Sequence, residues 1–177
     1  KLTELRDRIG YVPQKGVLFS GTIDSNIRYG KEDASEAEVQ RAAEVAQAWD
    51  FIQEKEEKME SEIAQGGTNV SGGQKQRLSI ARAIAKRPEI YIFDDSFSAL
   101  DYKTDVVLRR ALKKETKDAT TLIVAQRIGT ILHADRILVL DEGRVVGQGT
   151  HKELLKSCEV YRQIAMSQLS EEELANE

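Results

Sequence analysis

Hydrophobic and polar residues change period several times along this chain, and each change predicts an element. Ile9-Gly10-Tyr11-Val12 is a short apolar run ended by Pro13-Gln14, which predicts a strand with Gln14 exposed at its end. Leu18 and Phe19 lie in a stretch that otherwise reads as loop, so they are expected to pack or to meet a partner. Ser35-x-x-Glu38 has the form of a capping box, and Val39, Ala42, Ala46 and Trp49 then recur at helical spacing. That stripe is read as core, with Trp49 as an anchor. Residues 53–62 are rich in Glu and Lys and predict a solvated helix or loop.

A basic helical run over residues 75–86 is stopped by Pro88. Ile90-Tyr91-Ile92-Phe93 follows as a buried strand and ends in the pair Asp94-Asp95. Residues 103–114 carry Val106, Val107, Leu108, Ala111 and Leu112 on an amphipathic helix. Residues 120–125 are rich in β-branched side chains and predict a second buried strand, with Gln126 at its C-terminal end. Residues 137–140 and 144–147 flank Asp141-Glu142-Gly143 as a hairpin. Thr150 caps a helix, a further helix covers residues 160–169, and residues 170–177 read as a frayed acidic tail. Strand and helix alternate in the second half, so the fold class is α/β with a mostly parallel sheet. A helical insertion over about residues 34–86 interrupts it.

Composition narrows the setting. The chain has 177 residues, a net charge of −4 and 40% hydrophobic residues, enough for one globular domain with a sizeable core. No run approaches the ~18 apolar residues of a membrane-crossing helix. The chain opens Lys-Leu-Thr-Glu-Leu-Arg, without the apolar stretch of a signal peptide. Its single cysteine, Cys158, cannot form an internal disulfide, which suits a reducing compartment. The mild acidity gives no global attraction to nucleic acid or anionic lipid. His133 and His151 are read as surface or packing residues.

Three places carry candidate chemistry. Asp94 and Asp95 stand at the C-terminal edge of a strand, where open α/β sheets bind ligands. Asp94 suits Mg²⁺, a hard cation that takes carboxylate and phosphate oxygens, and Asp95 is then placed to orient or polarise a water. A solvated acidic strand end is the alternative. Ser71-Gly72-Gly73 opens a helix, whose free amide groups and dipole favour an anion. The alternative there is a plain N-cap with two loop glycines. Gln14 offers an uncharged donor and acceptor at a strand end, or is a surface turn amide.

The order of these pieces is specific. Val70-Ser71-Gly72-Gly73-Gln74, a basic helix, Pro88, an apolar strand, Asp94-Asp95 and then Ser98-Ala99-Leu100-Asp101 resembles the ATP-binding-cassette (ABC) ATPases. The resemblance implies a P-loop NTPase-like fold with a helical subdomain insertion. The three pieces correspond to the ABC signature, Walker B and the D-loop, and Gln14 to the Q-loop glutamine. Leu18-Phe19-Ser20-Gly21-Thr22-Ile23 with Asn26-Ile27 is similar to membrane exporters in particular, as is Leu140-Asp141-Glu142-Gly143-Arg144. The implied cofactors are ATP and Mg²⁺. Asp94 and Gln14 would serve the metal, and Asp95, Gln126 and Gln14 the hydrolysis. Ser71, Gly72, Gly73, Gln74 and Asp101 would serve the nucleotide across a head-to-tail dimer. The implied partners are a transmembrane domain and a second nucleotide-binding domain, not nucleic acid, and the implied location is the cytoplasmic face of the cell's inner membrane.

The family pattern divides the chain into a Q-loop segment (1–33), a helical subdomain ending in the signature (34–87), the Walker B, D-loop and switch core (88–169) and the tail (170–177). Four positions depart from it, the first being Val70 in place of the leucine that opens an otherwise intact signature. Walker B is normally followed by glutamate and here by Asp95, and the switch histidine is replaced by Gln126. Gln65 stands where exporters carry an acidic X-loop residue. The carboxylate of Asp95 is retracted by one methylene, roughly 1 Å, and a misplacement of that order can cost about 10²-fold in rate. Glutamine can hydrogen-bond a γ-phosphate but cannot become cationic. With a sound signature, this resembles the degenerate-site half of heterodimeric multidrug exporters. The other readings are a non-catalytic regulatory subunit that binds ATP, and a soluble ABC ATPase acting on nucleic acid.

No Gly-x-x-x-x-Gly-Lys-Ser/Thr phosphate loop occurs in the 177 residues, and the N-terminal strands that accompany it in the family are likewise expected upstream, in a longer polypeptide. The chain by itself is therefore expected not to bind MgATP with ordinary affinity. Titration calorimetry checks this, and low-micromolar binding would contradict it.

Overall fold

The computed structural model describes residues 1–170, so the tail expected at residues 170–177 lies outside the described residues from residue 171 onward. The chain divides into two compact units, one ending at Val124 and one beginning at Ala125. In the first, α1 (Leu2–Asp7) leads into β1 (Ile9–Val12), and β2 (Gly21–Thr22) into α2 (Ile23–Arg28). Then come α3 (Glu36–Val45), α4 (Trp49–Gln53), β3 (Glu62–Ile63) and α5 (Gly72–Lys86). β4 (Ile90–Asp94), α6 (Tyr102–Glu115) and β5 (Thr120–Val124) complete it.

β1, β4 and β5 form a parallel sheet in that order, with Tyr11 opposite Ile92, Val12 opposite Phe93 and Asp94 opposite Val124. β2 and β3 make a small antiparallel ribbon. Parallel neighbours require long crossovers, and the one between β1 and β4 carries α2 to α5.

α5 is the centre of this unit. Ser71 caps it through the Gln74 amide, and straight-chain and alanine residues carry it for 15 residues. It ends at Arg87, whose φ of 50° is left-handed, immediately before Pro88. Leu78, Ile80, Ala81, Ala83, Ile84 and Ala85 are buried in one core with Val12, Ile23, Ile27, Val39, Tyr91 and Phe93.

The capping box at Ser35 and Glu38 forms as expected. The stripe that follows it does not run as one helix: α3 stops at Val45, and Gln47 adopts φ 57°. The Gln47 backbone amide donates to the Glu44 carbonyl at 3.0 Å and its side-chain amide to the same oxygen at 3.1 Å, closing the helix end. Trp49 instead opens α4, where it is half-buried, and Phe51 and Ile52 are the buried residues. Leu18 is buried as expected. Phe19 stays 43% exposed and packs against Tyr29 with the rings tilted by 39° and their centroids 4.6 Å apart. β5 forms where expected but is not a buried strand. It is an edge strand with Leu122 and Val124 each 50% exposed, and Ile123 is its contact with the core.

In the second unit, α7 (Ile128–Ile131) precedes β6 (Ile137–Asp141) and β7 (Arg144–Gly149), an antiparallel hairpin. Its turn residues Glu142 and Gly143 have φ 46° and 76°, the paired positive values that tight hairpins need. α8 (His151–Ser157), capped by Thr150, and α9 (Glu159–Gln168) pack on it around Ile137, Val139, Leu154, Cys158 and Tyr161. His151 is a packing residue, buried with Nδ1 2.7 Å from the Tyr161 hydroxyl, and His133 is exposed. Cys158 is buried and free.

Glu38 accepts the Ser35 backbone amide at 2.8 Å, the Ser35 hydroxyl at 3.0 Å and Lys31 Nζ at 3.1 Å. The amide bond foremost, then the Lys31 ammonium, lowers its pKa from 4.5 to about 2. The unfolded chain binds this proton more readily, so the stabilisation is present above about pH 4.5 and is lost as pH falls through about 2. Urea denaturation across that window should show a flatter acid limb for Glu38→Gln than for the unaltered chain.

Candidate functional site

Asp94 is the last residue of β4, so the sheet presents its carboxylate at the C-terminal edge. Tyr11, exposed on the neighbouring β1, donates its hydroxyl to Asp94 Oδ2 at 3.0 Å. The parallel register makes this possible: Tyr11 sits opposite Ile92, and Asp94 lies one same-face step further on. The hydrogen bond to Asp94 raises the Tyr11 pKa, with burial and the charge of Asp94 adding to it.

Asp95 turns out of the strand with φ 45°, a left-handed value that Asp tolerates better than most side chains. Its amide still donates to the Val124 carbonyl at 2.8 Å. The turn directs its carboxylate to Gln14, whose Nε2 donates to Asp95 Oδ2 at 3.1 Å. The Ser98 hydroxyl donates to the Asp95 carbonyl at 2.9 Å, and the buried Ser96 hydroxyl to the Val12 carbonyl at 2.8 Å. Gln14 and the acidic pair thus share one strand edge.

Ser71 and Gln74 are committed to each other. Ser71 Oγ accepts the Gln74 amide and Gln74 Oε1 accepts the Ser71 amide, each at 3.1 Å. A Cβ on Gly72 would meet nothing within 4 Å, so its surface is open. A Cβ on Gly73 would lie 3.6 Å from the Ala99 carbonyl, so the start of α5 packs on the turn that leads to Asp101. Asp101 caps α6, accepting the Thr104 hydroxyl at 2.6 Å and its amide at 2.9 Å, and these bonds lower its pKa. Gln126 lies in the second unit, exposed, with its backbone carbonyl held by Gln168 Nε2 at 2.9 Å.

Two further residues organise this region, and the sequence reading passed over both. One is Tyr11; its link to Asp94 depends on strand register, which a sequence does not display. The other is Gln76 on α5, 1% exposed. Its Oε1 accepts the Gly16 amide at 2.7 Å and its Nε2 donates to the Pro13 carbonyl at 3.0 Å. A signal did exist for it: Gln76 lies on the same face as Ile80 and Ala83, and a polar residue on an apolar stripe needs a buried partner.

The donor set suits magnesium in one form. Among the described residues no group of three or more His, Cys, Asp or Glu could hold a metal by itself. A single carboxylate at a strand edge beside a neutral amide matches the way Mg²⁺ is held when phosphates and water supply its other ligands.

The family described as "ABC transporter" matches residues 1–98. The chain belongs to the ABC transporter family. An uncharacterised ABC transporter ATP-binding protein of Mycobacterium tuberculosis is 47% identical over 163 residues, which are 90% of this chain and 28% of that protein. Human ATP-binding cassette sub-family B member 5 is 44% identical over 163 residues, 92% of this chain and 13% of that protein. A solved structure of a bacterial Atm1-family ABC exporter with ATP bound superposes with a TM-score of 0.91 at 41% identity, covering 96% of this chain and 30% of that one. The chain thus spans under a third of each of these proteins, and its fold is that of the ABC ATPases.

The contact between the Gln14 loop and α5 in this ABC domain can be tested directly. A Cβ on Gly16 would fall 2.8 Å from Ser79 Oγ, 2.9 Å from the Lys75 carbonyl and 3.0 Å from Gln76 Oε1. Gly16→Ala is expected to lower unfolding free energy by about 1–3 kcal/mol, the ordinary cost of overpacking. Chemical denaturation reads this, and an unchanged midpoint would contradict the packing described.

Proposed function

We propose that this chain is the C-terminal part of the nucleotide-binding domain of an ABC exporter, contributing half of each of two composite ATP sites. The observation that carries the reading is the strand edge where Asp94, Asp95 and Gln14 converge, with Gln14 on Asp95 at 3.1 Å. Likeness to an Atm1-family ABC exporter supports the assignment to export, and a Staphylococcus aureus relative named "Putative multidrug export ATP-binding/permease protein", 44% identical over 160 residues, supports a multidrug or lipid-like substrate. No helix among the described residues is long and apolar enough to cross a membrane. The domain works at the cytoplasmic face of the membrane.

Asp94 is the residue that holds Mg²⁺, oriented by the Tyr11 hydroxyl, and Gln14 contacts metal and water. Bound Mg²⁺ supplies charge neutralisation for the phosphates. Asp95 orients the attacking water and takes its proton, but from a carboxylate one methylene short. Gln126 hydrogen-bonds the γ-phosphate without a positive charge. Ser71, Gly72, Gly73 and Gln74 clamp the γ-phosphate of the nucleotide bound to the opposing domain: the exposed Ser71 hydroxyl and the exposed Gly72 at the start of α5 offer donors of the kind an anion requires. Asp101 links the two sites through the turn that Gly73 touches.

The chain's own site is therefore impaired and its clamp sound, which calls for a different partner subunit bearing glutamate and histidine at the equivalent places. In the full-length protein with that partner, Asp95→Glu combined with Gln126→His is expected to raise ATP turnover, measured as phosphate release. Unchanged turnover with nucleotide binding retained would assign the site a purely structural role. Normal turnover by the full-length protein as a homodimer would refute the requirement for a second subunit.

A further inference from the structure

Gln76 lies five residues after Ser71 on the same uninterrupted helix, α5. Its side chain is 1% exposed, and its amide spends one donor and one acceptor on the loop that carries Gln14. The two bonds straddle Gln14: the Pro13 carbonyl on one side at 3.0 Å, the Gly16 amide on the other at 2.7 Å. Gly16 approaches so closely that a Cβ there would lie 2.9 Å from the Lys75 carbonyl, which is helix backbone and cannot yield cheaply. The loop is therefore fastened to the helix by hydrogen bonds and by contact.

An α-helix of 15 residues capped at one end by Ser71 moves as a rod, and a loop bonded one turn inside it must move with it or break two buried hydrogen bonds. Each such break leaves a polar group without its partner, an unfavourable change. The same first turn touches the Ala99 carbonyl through Gly73. The far end of the loop reaches the acidic pair, because Gln14 Nε2 bonds Asp95 at 3.1 Å. A displacement at Ser71 thus has a contiguous path to Asp95 through α5, Gln76 and Gln14.

We propose that Gln76 is a positioning residue that couples the two nucleotide sites, fastening the phosphate clamp offered to the partner's site to the glutamine that serves this chain's own. The proposal rests on the functional reading for the roles of Ser71 and Gln14. The latch itself is a property of the folded chain and can be read separately.

The test is amide hydrogen exchange on the full-length protein with its partner subunit, with and without MgATP, followed in residues 13–17 and 71–76. Without nucleotide, the Gly16 amide is expected to exchange about tenfold faster or more in Gln76→Met than in the unaltered protein, as its buried acceptor is gone. MgATP is expected to slow exchange in both stretches of the unaltered protein, and in Gln76→Met to slow residues 71–76 alone. Gln76→Glu keeps an acceptor for the Gly16 amide and loses the ordinary donor to Pro13. It should lie between the other two and serves as the deciding variant if Gln76→Met does not fold. A joint response of both stretches surviving in the variant that folds would overturn the coupling. A Gly16 amide indifferent to Gln76 would overturn the latch. No response to MgATP at residues 71–76 of the unaltered protein would instead remove the clamp reading, while the Gly16 comparison without nucleotide still reports on the latch.

Discussion

Burying α5 forces its polar side chains to find partners, and those partners position everything around it. Gln76 takes the Pro13 carbonyl and Arg77 the Gln47 carbonyl, at 3.0 and 2.7 Å. Arg82 takes the carbonyls of Val17 and Asn26, each at 2.8 Å, and Lys86 those of Arg6 and Ile9, at 2.9 and 2.8 Å. Burial lowers the pKa of both Arg77 and Arg82, an unfavourable term that these bonds offset. The guanidinium of Arg82 also lies 5.0 Å from the Phe19 ring centroid and 5.5 Å from that of Tyr29. The basic side chains Arg77, Arg82 and Lys86 thus staple this helix to backbone carbonyls of α1, β1, α2 and the connecting segments at Val17 and Gln47.

The strand edge follows from that arrangement. β1 is held against β4 by the parallel ladder, and its outgoing loop is held by Gln76, which places Gln14 within hydrogen-bond reach of Asp95. β4 supplies the acidic pair at two different orientations because Asp95 leaves the extended region while Asp94 does not. One carboxylate then faces Tyr11 and the other faces Gln14. Adjacent residues acquire distinct neighbours from a single backbone turn.

The same helix also connects two separate parts of the surface. Its N-terminal turn carries the open surface at Gly72, and one turn later it carries the latch on the Gln14 loop. Phe19 and Tyr29, both exposed, are held by Arg82 two turns beyond. A segment expected from sequence to meet a partner is therefore anchored on the helix that Ser71 caps.

The sequence by itself determined the helix caps, the strand ends and the order of the motifs, because these depend on residues within a few positions of one another. Ser35 with Glu38, Thr150 at the start of its helix and the Glu142-Gly143 turn were legible for that reason. Only the tertiary structure decided which strand lies at the edge, so Leu122 and Val124 are exposed despite their apolar character. It also decided that Gln47 breaks the helix and that Trp49 starts another. The partners of Tyr11 and Gln76, 83 and 60 to 63 residues away, arise from strand register and helix packing, which no local pattern encodes.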